Sequence, residues 1–351
     1  MIIDCHGHYT TAPAALQEFR DAQLARLKNP ALPVPAEPEI SDDEIRATIE
    51  GNQLRIARER GHDLTIFSPR ASSMGHHVDD PATAVTWARV CNDLIYRVTT
   101  LFPGNFAGVA QLPQVTGEPM DACVAELERA VTELGFVGCN LNPDPSDGYW
   151  QAPPITDPYY YPLYAEMTEL GVPAMVHASM SANPAVQGTC GHYLNSDTTT
   201  FMQLAQSTLF QEFPGLRLIL PHGGGAVPYH WDRYQGVMYD QGRGDLLDFL
   251  GDNLFFDTCL YGQRGLQLLV DTIPARNLLF ASEMIGAVTS KDPATGRRYD
   301  DTRALLDAAD HLGEADRAAI ASGNARRVFP RVNEILEASQ AGTAYGRGAQ
   351  L

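Results

Sequence analysis

Short apolar segments recur along the chain, separated by longer stretches in which apolar residues follow a helical spacing. The short segments contain many β-branched residues and are typical of buried strands. The helical spacing is clear at 81–102 and at 120–135, where the second stretch ends in a glycine. Eight strand-like segments are found, at 2–4, 63–68, 106–112, 136–141, 173–177, 216–222, 254–258 and 278–282.

Strands that alternate with helices predict a parallel sheet. Eight repeats in 351 residues predict an α/β fold of the (β/α)8 TIM-barrel type, distorted, with a doubly wound open sheet as the alternative. No G-x-G-x-x-G follows the first strand, which argues against a dinucleotide-binding open sheet. We expect one domain over 1–340 and a C-terminal tail at 341–351.

Residues 10–61 form a predicted helical insertion between the first two strands, which either caps the barrel mouth or carries a subunit contact. Within it, Ser41 and Glu44 have the spacing of a capping box at a helix start. A further helix is predicted to follow Asp197, which we interpret as its N-cap. The insertion is one reason to expect a homo-oligomer, a dimer or higher.

Composition narrows the function classes. The formal net charge of −18 makes nucleic acid and anionic membranes poor partners. No apolar run reaches the length of a membrane span and no signal peptide is recognisable, so we expect a cytoplasmic protein. The six cysteines are scattered without a C-x-x-C pair and read as reduced core thiols.

Polar side chains cluster where the predicted strands end. Residues i and i+2 of a strand point to the same side, so His6 and His8 lie together, and Gly7 between them has no side chain. His177 and His222 end the fifth and sixth strands, and Glu283 follows the eighth. A barrel brings these ends to one face, where its enzymes have their active sites. One such histidine is more often structural, but four histidines and a carboxylate together predict a metal site.

The donor set also predicts the metal. Imidazole and carboxylate ligands favour one Zn²⁺ per chain, with Mn²⁺ or Fe²⁺ as alternatives. A catalytic zinc site keeps one position open for water and lowers the pKa of that water to about 7.

Several motifs resemble those of the amidohydrolase superfamily. They are "HGH" at 6–8, "VH" at 176–177, "PHGGG" at 221–225 and the acid after strand eight. "SGNARRVFP" at 322–330 is similar to the closing helix of the decarboxylase-like branch. "MIIDCHGHYTTAP", "LNPDPSDG" and "HYLNSDTTTFMQ" resemble the hydratases of that branch, and the likeness covers nearly the whole chain.

This resemblance implies a function and a ligand set. The metal would be held by His6, His8, His177 and Glu283, with His222 beside it as an acid/base group. The implied reaction adds water to the C=C bond of 4-oxalomesaconate and gives 4-carboxy-4-hydroxy-2-oxoadipate, in bacterial aromatic catabolism of the gallate or protocatechuate type. The implied enzyme is therefore a zinc-dependent hydro-lyase acting on a small tricarboxylate.

The chain departs from the superfamily pattern at two places. Members with two metals carry a bridging lysine after strand four, where this chain has Asn140 and Asn142, so we expect one metal. The usual acid after strand eight is aspartate, whereas Glu283 has a longer arm that either ligates the metal or stands back as a base. The second departure argues against a simple hydrolase or decarboxylase and agrees with a hydratase.

The remaining roles follow from the chemistry of hydration. Glu283 and the metal activate water, His222 relays the second proton or stabilises the enolate, and Tyr193 donates to a carboxylate or carbonyl. A polyanionic substrate needs local cations in so acidic a chain, and Arg70 at a strand end is the best carboxylate fork. Weaker candidates for substrate binding are His76, Asn195, Arg233 and Arg264.

Two other functions stay open at this point. A metal-dependent decarboxylase of a related acid would share the ligands and release CO₂. A metal-stabilised scaffold that binds a partner without catalysis would have a closed four-ligand site with no exchangeable water.

Overall fold

The computed structural model describes residues 1–78, 80–188, 190–310 and 312–341, so all but the first residue of the predicted tail at 341–351 lies outside the described residues. Eight parallel strands, adjacent in chain order, form one nearly closed sheet. Backbone hydrogen bonds from Cys5 N to Phe280 O and from Glu283 N to His6 O connect its two ends, each at 2.9 Å. The predicted (β/α)8 barrel is confirmed. Its strands are β1 Ile3–His8, β2 Leu64–Ser68, β3 Phe106–Gln111, β4 Gly138–Leu141, β5 Ala174–Val176, β6 Leu218–Leu220, β7 Leu254–Asp257 and β8 Leu278–Leu279.

Helices fill the connections between the strands. Three helices lie between β1 and β2, within the insertion predicted at 10–61. The α-helices are α1 Ala14–Lys28, α2 Asp42–Gly51, α3 Gln53–Arg60, α4 Pro81–Leu101, α5 Asp121–Thr132, α6 Tyr161–Glu169, α7 Gly191–Ala205, α8 Leu209–Glu212, α9 Trp231–Asp240, α10 Leu246–Leu250, α11 Gln263–Thr272, α12 Thr302–Asp307, α13 Glu314–Ala318, α14 Asn324–Val328 and α15 Val332–Gln340.

All eight predicted strands are present, but β1 extends beyond its apolar pattern and the other seven strands are shorter than theirs. β1 continues through His6 and His8, because a register shift between Asp4 and Gly7 keeps the strand paired with β2. β8 has two residues only, because the backbone beyond it bonds to other partners. Ser282 N, for example, donates to a carboxylate oxygen of Asp4 at 3.0 Å.

The inner side chains of the barrel form their own apolar cluster. Ile3, Ile66, Ile219 and Phe255 belong to it and are almost fully buried. Residues of α14, α15 and the turn between them, among them Phe329, pack into the same cluster. The C-terminal helices therefore stabilise the barrel interior, at about 1.5–3 kcal/mol for each large side chain that is fully buried.

The insertion is anchored on the barrel beside its mouth. The capping box at the start of α2 is confirmed, since Ser41 N donates to Glu44 at 2.8 Å and Glu44 N donates to Ser41 Oγ at 3.2 Å. Phe19 of α1 packs with Trp87 and Cys91 of α4. This contact places α1 next to the loop that follows β2.

Three further expectations were tested by the structure. The helix expected after Asp197 begins earlier, at Gly191, so the N-cap assignment of Asp197 is wrong. Five of the six cysteines are buried and all six are free, as expected, but Cys190 is exposed. Among the described residues, no helix combines the length and the apolar character that crossing a membrane requires.

Candidate metal centre and active site

Four imidazole rings meet at the carboxyl ends of β1, β5 and β6. The ring centroid of His6 lies 4.8 Å from that of His8, 5.1 Å from that of His177 and 5.3 Å from that of His222. Glu283 stands beside them, and one donor atom each of His6, His177, His222 and Glu283 lie within 4.8 Å of one another. The structure thus brings the predicted ligands His6, His177 and Glu283 together with His222. The fourth predicted ligand, His8, adjoins this group through His6.

Each of these imidazoles has its Nδ1 atom engaged by an acceptor. His6 Nδ1 lies 2.7 Å from Asp257 Oδ2, and His177 Nδ1 lies 2.8 Å from the carbonyl of the next residue. His222 Nδ1 lies 2.9 Å from Asp197 Oδ2. The network assigns a proton to Nδ1 in all three rings and leaves a lone pair on Nε2 of His6 and His177. At His222 the Asp197 carboxylate raises the pKa, which favours a second proton on Nε2.

In His8 a hydroxyl group, rather than a carboxylate or carbonyl, accepts the proton on Nδ1. The Ser68 hydroxyl donates its proton to the carbonyl of Pro69 at 2.8 Å, so its oxygen accepts the Nδ1 proton of His8 at 2.7 Å. Asn140 Nδ2 also donates to this oxygen, at 3.1 Å. Asn140 therefore supports the hydroxyl group that orients His8.

The unengaged Nε2 atoms fit a metal ion. Those of His177 and His222 are buried and have no hydrogen-bond partner in the described part of the chain. Those of His6 and His8 face each other at 2.9 Å. Two lone pairs at that distance repel, whereas a divalent cation between them would accept both. Burial lowers the pKa of His8 and His177 well below the usual histidine value, and the neighbouring imidazoles lower it further. Neutral imidazoles with an outer acceptor on Nδ1 are the form that binds metal.

Gly7 allows the two first histidines to share one face. A Cβ atom at this position would lie 2.4 Å from Thr65 Cγ2 and 3.1 Å from the Ile66 carbonyl oxygen of the paired strand. A side chain at position 7 would therefore push β1 away from β2. The close approach of these strands sets where His6 and His8 point.

His222 and Glu283 both adopt a left-handed backbone conformation, with φ of 52° and 49°. This conformation is strained for residues other than glycine, by about 1–3 kcal/mol each. Strain of this kind persists where the surrounding structure imposes it, and it is concentrated at functional sites. Here it turns both side chains toward the histidine cluster.

Three functional neighbours were missed by sequence reasoning. Asp257 is fully buried and binds His6, while Asp197 orients His222 and was interpreted as a helix cap. Burial would lower the pKa of His222, but the Asp197 carboxylate raises it above the usual value. The third neighbour, Tyr261, donates its hydroxyl proton to Glu283 Oε2 at 2.7 Å. Asp257 is the last residue of β7 and Tyr261 follows the strand, so the strand-end rule contained the signal.

A cavity of about 310 Å³ opens onto this cluster. Glu283, Tyr193 and Arg70 line it, together with the small polar residues Ser72 and Ser179. Arg70 Nε donates to Ser72 Oγ at 3.1 Å, and among the described residues no carboxylate forms an ion pair with the guanidinium. The ring centroid of Tyr193 lies 4.4 Å from that of His222, and burial raises the pKa of its hydroxyl, which stays a donor.

The four weaker substrate-binding candidates do not line this cavity. His76 is buried, and its ring nitrogens contact the Leu112 carbonyl at 3.0 Å and Asn142 Nδ2 at 2.9 Å. Its ring thus connects neighbouring loops and has no free donor for a substrate. The other three are exposed helical residues that are not among those lining the cavity: Asn195 on α7, Arg233 on α9 and Arg264 on α11.

Comparison with known proteins gives a consistent result. The sequence profile of the family described as Amidohydrolase matches residues 3–331. The chain is 56% identical over 338 residues to 2-keto-4-carboxy-3-hexenedioate hydratase of Sphingobium sp., covering 96% of this chain and 98% of that protein. The crystal structure of 4-oxalomesaconate hydratase from Rhodopseudomonas palustris matches with a TM-score of 0.90 and 50% identity, covering 97% of this chain and 99% of that one. Gamma-resorcylate decarboxylase of Rhizobium sp. is 28% identical over 80% of this chain and 87% of its own length.

Proposed function

The chain belongs to the amidohydrolase family, and on that premise we propose that it is a zinc-dependent hydratase of a seven-carbon keto tricarboxylate. The observation that carries the proposal is a single cavity that combines imidazoles suited to a metal, the Glu283 carboxylate and the guanidinium of Arg70, which pairs with no carboxylate among the described residues. Identities of 50% and above to two hydratases, over nearly the full length, support hydration over decarboxylation. The decarboxylase relative is more distant.

The chemistry favours one double-bond isomer of the substrate. In 2-keto-4-carboxy-3-hexenedioate the C3=C4 bond is conjugated with the ketone, so attack at C4 places negative charge on the ketone oxygen. In 4-oxalomesaconate, the isomer expected from the sequence, the bond is conjugated with a carboxylate that is already negative. Both isomers give 4-carboxy-4-hydroxy-2-oxoadipate. We propose the ketone-conjugated isomer as the substrate that is turned over.

Three histidines and a carboxylate prepare the attacking water. A divalent ion, when bound, lowers the pKa of a coordinated water to about 7. His6, His8 and His177 would hold that ion through their Nε2 atoms. Glu283 accepts the proton of the attacking water, and the hydrogen bond from Tyr261 to Oε2 keeps its other oxygen turned toward the cavity.

Other residues handle the enolate and the carboxylates. His222, oriented by Asp197, donates to the enolate oxygen and then supplies the proton that C3 receives. Tyr193, next to the His222 ring, donates to a substrate carbonyl or carboxylate. Arg70 forms a charge-assisted pair with one carboxylate and compensates locally for the net charge of −18.

The decisive experiment supplies each isomer separately to zinc-loaded protein. Loss of the conjugated absorbance, formation of the hydroxy tricarboxylate and release of CO₂ are measured on the same sample. We expect one hydrated product per substrate, no CO₂, and a higher kcat/KM for the ketone-conjugated isomer. Demetallated protein should be inactive and recover with zinc. Stoichiometric CO₂ would identify a decarboxylase instead, and full activity without metal would refute the metal assignment.

We also propose a homo-oligomer, a dimer or higher. The support is the exposure of large aromatic residues, with Tyr229 at 76% and Tyr239 at 59% of their full accessible surface. Aromatic side chains are enriched in subunit interfaces relative to the rest of a protein surface. Light scattering on the purified protein measures the subunit number, and a monomer at micromolar concentration would contradict the proposal.

A further inference from the structure

A second cavity, of about 200 Å³, adjoins the metal cavity at the mouth of the barrel. Thr10 and Arg70 line both cavities. The second one is bounded by α1 of the insertion and by α4, and most of its wall is apolar. Leu16, Trp87 and Leu94 are among its lining residues. We call it the annex.

The annex also contains polar groups without a protein partner. Gln111 is 2% exposed, and its backbone N–H and carbonyl are both bonded to Asn92. Its side-chain amide forms no hydrogen bond with any described residue. Trp87 Nε1 is buried and likewise has no partner. A fully buried donor without a partner, such as Trp87 Nε1, costs about 1–3 kcal/mol. A ligand in the annex could supply partners for this indole N–H and for the Gln111 amide.

We propose that the annex binds one small aromatic carboxylate that carries a hydroxyl group, of the hydroxybenzoate class. A cavity of about 150 Å³ lined by apolar side chains is large enough for benzene, so the annex accommodates one substituted ring. The ligand carboxylate pairs with the guanidinium of Arg70, and its hydroxyl bonds to the amide of Gln111. The ring packs on Trp87, whose other contacts include the Arg20 guanidinium at 4.9 Å from the ring centroid.

The annex does not suit the tricarboxylate substrate. Placing three carboxylates among apolar walls with one cation would leave two charges without partners, at a prohibitive desolvation cost. The annex ligand is therefore of a different chemical class from the substrate. Because both ligands use Arg70, the annex ligand should raise the KM of the substrate without changing kcat. This consequence rests on the proposed function, whereas binding in the annex does not.

The test measures binding of 4-hydroxybenzoate to zinc-loaded protein by ligand-observed NMR and calorimetry. We expect a Kd of about 0.1–1 mM, as is usual for a ligand of roughly ten heavy atoms. Leu16→Trp fills the annex and should weaken binding by about tenfold or more. Gln111→Leu removes the amide at nearly constant volume and should weaken it about fivefold. The matched control is Leu27→Trp, at an exposed position of the same helix, which should bind like the parent.

Two results would overturn the proposal. One is equal binding by the parent and by a folded Leu16→Trp variant, which would show that the probe occupies the metal cavity. The other is no binding up to 10 mM by the parent. If thermal unfolding shows that Leu16→Trp is not folded, Gln111→Leu decides, and parent-like affinity of that variant counts against the annex. Turnover of the substrate is measured separately. A protein that binds the probe but has no hydratase activity would refute the proposed function and leave the annex proposal intact.

Discussion

Replacing Asp257 by asparagine should disable the metal centre by changing which nitrogen of His6 carries the proton. Asp257 is fully buried, and its Oδ1 accepts backbone N–H groups of Gly223 and Cys259, both at 3.0 Å. Its Oδ2 accepts the Nδ1 proton of His6 at 2.7 Å. Asparagine has the same shape but offers one oxygen and one NH₂ group. The orientation of the amide therefore decides the outcome.

The backbone donors determine that orientation. Turning the NH₂ group toward Gly223 and Cys259 would leave two buried N–H donors facing another donor, at about 1–3 kcal/mol each. Turning it toward His6 preserves both bonds and requires only that His6 accept at Nδ1. His6 then carries its proton on Nε2, where it cannot bind metal. Loss of the residue that orients a metal-binding histidine weakens metal affinity about 10–100-fold. Because Asp257→Asn also places the His6 proton on the wrong nitrogen, we expect its metal affinity to fall by about a hundredfold or more.

Chelator competition and metal analysis measure the affinity, and ¹⁵N NMR of labelled histidine identifies the tautomer of His6. The expected result is at least a hundredfold weaker zinc binding, a parent-like fold by circular dichroism, and loss of turnover at limiting zinc. Asp252→Asn is the matched control, since Asp252 forms only an exposed ion pair with Arg327 and should leave all three readouts unchanged. Parent-like metal affinity in Asp257→Asn would refute the reasoning.

Four other substitutions test individual roles. Glu283→Gln should lower kcat by about 10² or more because the base is lost, with metal content measured on the same sample. His222→Asn should retain the metal through the three remaining histidines, yet its kcat should fall about as much as that of Glu283→Gln. A near-normal rate of hydration would show that His222 does not relay a proton. Tyr261→Phe should lower kcat roughly tenfold with little change in KM, because Glu283 loses the hydrogen bond that orients its carboxylate. A change confined to KM would contradict this positioning role. Gly7→Ala should destabilise the fold by about 1–3 kcal/mol in urea unfolding, because its Cβ would lie 2.4 Å from Thr65 Cγ2.

Much of the architecture can be predicted from the sequence because it depends on local patterns. Apolar segments of strand length alternate with helical stretches, and parallel strands in chain order leave only a few topologies. The same reasoning predicts that His6, His8, His177, His222 and Glu283 lie at one mouth, since parallel strands end at the same face. Arg70 was also predicted from its place at a strand end, and it lines the cavity.

The partners of these residues depended on barrel closure. Asp257 is 251 residues from His6 along the chain, and no local pattern relates the two. Asp197 has the composition of a helix cap, yet α7 begins six residues earlier and the carboxylate binds His222 instead. His76 illustrates the opposite error, because a polar residue after a strand was expected at the substrate while its ring connects buried loops.

The sequence by itself therefore determined the barrel, the candidate site residues at the strand ends and the face on which they meet. The tertiary structure alone decided which nitrogen of each imidazole is free, which carboxylates orient them, and that Arg70 lies between two cavities. The physical reason is how far apart along the chain the interacting residues lie. Strand and helix preferences act between neighbours in the chain, whereas a proton position or a cavity depends on groups that become neighbours only when β1 closes against β8.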